Sequence, residues 1–81
     1  MKIQLIQGEF SSDDALDLLT QMIHIKIKYH ENKITKGGRE EDIKYRESKI
    51  KRLQKELFEV RNQIDEKKGK VKLDAIINIV K

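Results

Sequence analysis

Two histidines and a run of cations are the side chains of this sequence best equipped for chemistry. His24 and His30 stand six apart in QMIHIKIKYH, residues 21–30. On a helix that spacing turns them about 120° away from each other, whereas two ligands of one metal ion sit three or four apart. Lys26 and His30 do have the i, i+4 spacing, and a carboxylate from another element could approach them as acid and base. No spacing supplies that third group. The commoner role for such a pair is to face the last helical carbonyls, or to lay apolar stems along a hydrophobic surface with the polar ends in water. Gly37-Gly38 lacks the strand and the lysine–threonine pattern of a phosphate-binding loop and reads as a hinge. The sequence therefore predicts no enzyme, with no catalytic, cofactor-binding or metal-ligating residue.

The cations are more suggestive. Lys44, Arg46, Lys49, Lys51, Arg52 and Lys55 lie close together, opposed within their span only by Glu47. On a helix Lys44, Lys51 and Lys55 share one outward side, with Arg52 adjacent. Such a stripe could follow a nucleic-acid phosphate backbone, each neutralised phosphate steepening the salt dependence by about 0.9 for duplex DNA. It has no interleaved aromatics for stacking, however, and Glu40, Glu41, Asp42, Glu56 and Glu59 flank it. A solvated helix face is the more ordinary reading.

Composition limits what can carry these groups. The chain has 81 residues, 37% hydrophobic and 40% charged, with no cysteine and no proline. That is one domain, 1–81, whose folding hides only about 60% of the unfolded surface. No disulfide or thiolate metal site can reinforce so thin a core, which leaves oligomerisation as the usual route to more burial. The net charge is +4, and most of the excess falls in residues 39–70, with 11 basic and 8 acidic side chains. Apolar runs are too short for a membrane span and no secretory core opens the chain, so a cytoplasmic protein without membrane contact is expected.

Within QMIHIKIKYH the apolar and polar residues alternate as in a strand. Yet Ala15, Leu16, Leu18, Leu19, Met22, Ile23, Ile25, Ile27 and Tyr29 fall on one helical arc of about 200°, which explains both this stretch and the one before it. Only Lys26 and His30 intrude on that arc. Ser11 or Ser12 can cap the helix, and Asp13, Asp14 and Asp17 suit its positive end. A helix over 12–31 is predicted, then a polar loop over 32–38 and a long helix over 39–68, with Gly69 as its C-cap. In the long helix Ile43, Ile50, Leu57 and Ile64 recur every seven residues, and Leu53 and Val60 fill positions between them. Arg46 and Lys67 occupy the equivalent places at the two ends of this seam. Strands over 2–7 and 71–80 follow from alternation.

The predicted fold is α+β: an antiparallel two-helix hairpin of coiled-coil type, with a small antiparallel sheet made by the terminal strands. The seam is expected to pack on the first helix, and the long helix to outrun that partner by about 15 Å. Ile6, Ile76 and Val80 are expected on the outer face of the sheet. A two-stranded sheet with both edges open and an unpartnered length of seam together predict a homodimer. The expected function is that of a protein-interaction or assembly module, with an unknown protein partner also allowed and nucleic-acid or ribosome association as the alternative. The segments KIKYHENKI and REEDIKYRESKIKRLQKEL make the chain similar to small uncharacterised bacterial proteins built as strand, helical hairpin and strand. It also resembles, with much shorter helices, the hairpin-plus-strand design of prefoldin subunits. Neither resemblance implies a particular site residue.

Overall fold

Ser11 ends a strand and caps a helix in one step. Its backbone is extended (φ −62°, ψ 157°) and its hydroxyl oxygen accepts from the Asp14 N–H at 3.1 Å, satisfying one of the free donors of the first turn. The computed structural model describes residues 1–66 and 69–81. In order these form strand β1 (Lys2–Ser11), helix α1 (Ser12–Thr35), helix α2 (Glu40–Glu66) and strand β2 (Lys70–Asn78).

Residues 21–30 are helical throughout, so the wide apolar arc prevails over the strand-like alternation. α1 also continues through Asn32–Thr35, where the sequence predicted a loop. Ile34 extends the apolar arc by another turn and is half-buried, while the Thr35 hydroxyl donates to the carbonyls of Asn32 and Glu31 at 2.9 and 3.2 Å. The turn comes at the first glycine. Gly37, at φ +84°, takes a conformation that costs other residues, and its N–H donates to the Ile34 carbonyl at 3.2 Å.

α2 opens on the Ile43 N–H donating to the Arg39 carbonyl at 3.0 Å, with Glu40, Glu41 and Asp42 in its first turn. The final residues of the predicted long helix, Lys67 and Lys68, lie outside the described residues. With 24 residues in α1 and 27 in α2 the helices nearly match, so among the described residues the expected overhang of the seam is absent. The helices run antiparallel: Lys33 and Ile34 share a cleft with Ile43 and Arg46, and at the far end the Ser12 N–H and hydroxyl donate to the Gly69 carbonyl at 3.1 and 2.8 Å.

β1 and β2 form a two-stranded antiparallel sheet. β1 is longer than expected, continuing through Gly8–Ser11 into the cap of α1, and β2 occupies Lys70–Asn78. A bulge at Leu5 shifts the register: Ile3 faces Ile77 and Gln4 faces Ile76, but Ile6 faces Ala75. The Gln4 amide nitrogen holds the bulge, lying 2.8 Å from the Ile6 carbonyl and 2.7 Å from Asp74 Oδ1.

The core is small. Ala15, Leu53, Leu57 and Ile64 are the buried apolar side chains among the described residues. The sheet meets the hairpin mainly through α1. Accessible surface totals 6927 Å2 for 9.6 kDa, where a folded monomer of that mass shows about 5,100 Å2. The radius of gyration is 15.2 Å, against about 11.7 Å for a close-packed domain of this length. The extents of 45 × 32 × 14 Å describe a thin slab.

Candidate interaction surfaces

In an antiparallel sheet directly opposed residues point to the same face. The pairs Ile3–Ile77, Ile6–Ala75, Gly8–Leu73 and Phe10–Val71 therefore make one apolar face, free of charge along its whole length. The other carries Lys2, Gln4, Gln7 and Glu9 opposite Asn78, Ile76, Asp74 and Lys72. The bulge transfers Ile6 from the outer face, where simple alternation put it, to the apolar one. This dissolves the expected patch of Ile6, Ile76 and Val80: Ile76 stays on the polar face and Val80 lies beyond β2.

No side chain of the apolar face is buried. Ile3 keeps 38% and Ile77 44% of its surface exposed, and Leu5, Ile79 and Met1 stand open beside them. The ladder still closes at this end, with the Ile79 N–H donating to the Met1 carbonyl at 2.7 Å. On α1 the residues Leu18, Met22, Ile25 and Tyr29 repeat at four-three-four spacing, which sets them in one stripe. Leu18 and Met22 are half-covered, whereas Ile25 and Tyr29 are exposed. That stripe is part of the arc of about 200° on which the sequence places the apolar residues of this helix.

The predicted seam residues are covered unevenly. Leu53, Leu57 and Ile64 are buried, while Ile43, Ile50 and Val60 are half-buried. Lys67 lies outside the described residues.

The basic stripe divides. Lys44, Lys51, Arg52 and Lys55 are all exposed. Lys44 Nζ is 3.7 Å from Glu40 and Arg52 Nε is 3.5 Å from Glu56, both pairs one helical turn apart on α2. Arg52 also joins Lys26, His30, Lys49, Leu53 and Glu56 around a cleft between the helices. The third group sought for Lys26 and His30 is thus in the main cationic. Arg46 Nη1 lies 3.1 Å from His30 Nδ1. A guanidinium only donates, so Nδ1 accepts and the neutral ring carries its proton on Nε2. Burial, followed by the charges of Arg46, Lys26 and Lys49, holds the His30 pKa below its ordinary value of 6.5. Arg46 also stands 5.8 Å from the centre of the Tyr29 ring, whose edge packs against His30. His24 is exposed.

Compared with protein-family models, curated proteins and solved structures, the chain matches none. Among the described residues no helix is long and apolar enough to cross a membrane.

Proposed function

We propose that the protein is a non-enzymatic assembly module that pairs with a second copy of itself, burying the apolar face of the sheet. The observation behind this is the surplus of surface. The chain exposes about 1,800 Å2 more than a monomer of its mass should. Two copies hiding that surplus would bury about 3,600 Å2, within the range of obligate homodimers. The site follows from what remains uncovered. Ile6, Phe10, Val71, Leu73 and Ala75 on the sheet's apolar face are already half-covered, which leaves its far end, Ile3 and Ile77 with Met1, Leu5 and Ile79 beside them, as the exposed part for a second copy to cover. The edge strands of such a sheet are also open to a neighbour.

Light scattering at high micromolar concentration tests the proposal. The expected mass is twice 9.6 kDa. Ile3→Asp combined with Ile77→Asp should return it to 9.6 kDa with helix content kept, since a charge desolvated in an apolar interface is costly. A monomeric wild-type chain would remove the proposal. Nucleic-acid binding through Lys44, Lys51, Arg52 and Lys55 is the rival reading, supported by their exposure and weakened by the carboxylates beside Lys44 and Arg52. Steeply salt-dependent binding of RNA or duplex DNA, reduced by Lys51→Glu with Lys55→Glu, would favour it.

A further inference from the structure

Among the described residues three break the apolar pattern of the two helices: Lys26 and His30 on the arc of α1, and Arg46 in a seam position of α2. Folding brings all three together. Arg46 touches His30, and Lys26 and His30 line a cleft of about 130 Å3 with Lys49, Arg52, Leu53 and Glu56. We infer that this cleft is a binding site for a small tetrahedral oxyanion of the phosphate type, held by Lys26, Lys49, Arg52 and the His30 Nε2–H, with Arg46 orienting the ring. The inference is independent of self-association.

Charge carries the argument first. Lys26, Arg46, Lys49 and Arg52 gather around one neutral imidazole, and the one carboxylate in the cleft, Glu56, already faces Arg52 Nε. Arg46 and Lys49 are half-buried, so solvent screens their repulsion incompletely. An anion between them would offset that cost with charge-assisted hydrogen bonds from a guanidinium fork, ammonium groups and an imidazole N–H.

Size carries it second. A cavity needs about 10–15 Å3 to admit one water, and pockets for drug-sized ligands start at about 300 Å3. This cleft lies between the two, large enough for a phosphate group and too small for a nucleoside. Position carries it third. Lys44, Lys51 and Lys55 lie about 160° around α2 from the middle of the buried seam, so they do not extend the cleft into a track for a polymer.

The test is a titration of the full-length labelled protein at constant ionic strength, reading the ring resonances of both histidines. Inorganic phosphate should shift His30 saturably and raise its pKa by about one unit, while His24 reports only the bulk. Lys49→Ala with Arg52→Ala should abolish the response. Arg46→Met fills its seam position with an apolar side chain, so it should keep the fold and still weaken binding; an unweakened response would deny Arg46 its positioning role. Tighter saturation by methyl phosphate than by phosphate would identify a phosphorylated small molecule as the ligand, and the reverse order free phosphate. An unsaturable His30 shift, an equal shift of His24, or a response to RNA without one to phosphate would each overturn the inference.

Discussion

The two ends of the helical hairpin solve the same packing problem differently. Toward the sheet, Ala15, Leu57 and Ile64 are buried. Toward the loop, Ile34 and Ile43 are only half-covered, and His30 and Arg46 take places that apolar side chains hold elsewhere. One end has the connected strands to crowd around it, while the other ends in the four-residue connection 36–39 and has no further layer. Burial therefore concentrates stability at the sheet end, and the loop end is left free to collect charge. The comparison teaches that a regular seven-residue repeat does not mean uniform burial: the environment of each rung decides what it contributes.

That contrast can be broken most directly by truncating one rung at each end. Leu57→Ala should cost about 2–5 kcal/mol, the range for a buried leucine that leaves a cavity, and in a domain this small it can unfold the chain. Ile43→Ala should cost clearly less, because its site is already open to water. Urea denaturation of the two variants measures the difference, and equal losses would mean the ends are equivalent. Next in size comes the junction with the sheet. Ser11→Ala removes the acceptor for the Asp14 N–H and should cost about 1 kcal/mol, read as a lower denaturation midpoint.

The smallest effect sharpens the loop end. Because folding lowers the His30 pKa, the unfolded chain binds the proton first as pH falls. The neutral ring then contributes its full share of stability above about pH 6.5, and that share is lost as pH drops toward the folded value. Lys26, Arg46, Lys49 and Arg52 oppose the protonated form and Glu56 favours it, so the net slope is modest. Melting temperature should decline as pH falls below about 6.5, and His30→Gln should flatten that decline. An unchanged slope in the variant would show that another group titrates in this window.

Element types were legible from residue patterns, and individual features explain where the boundaries moved. The arc from Ala15 to Tyr29 made α1 readable despite the alternation over 21–30. Ile34 was the signal that the helix continues, but the polar residues around it hid this, and only Gly37 stops it. The extra length of β1 depends on Ser11 serving both strand and cap, a double role visible only once Lys70 is seen opposite. The Leu5 bulge left no mark in the spacing; it arises from pairing with β2 and from the reach of Gln4. For the candidate sites, Lys26, His30 and Arg46 each stood out as polar intruders on apolar surfaces, but spacing along one helix cannot say which intruder on another helix it will meet.

The sequence by itself determined the two amphipathic helices, the two alternating strands and the absence of a large core, because these follow from periodicity and composition along a continuous chain. Tertiary structure alone decided that Ile6 joins the apolar face, that Arg46 meets His30, and that so much apolar surface is left open. Each depends on the register between segments distant in sequence, where one residue of slip exchanges the faces of a strand or moves a side chain a quarter-turn around a helix.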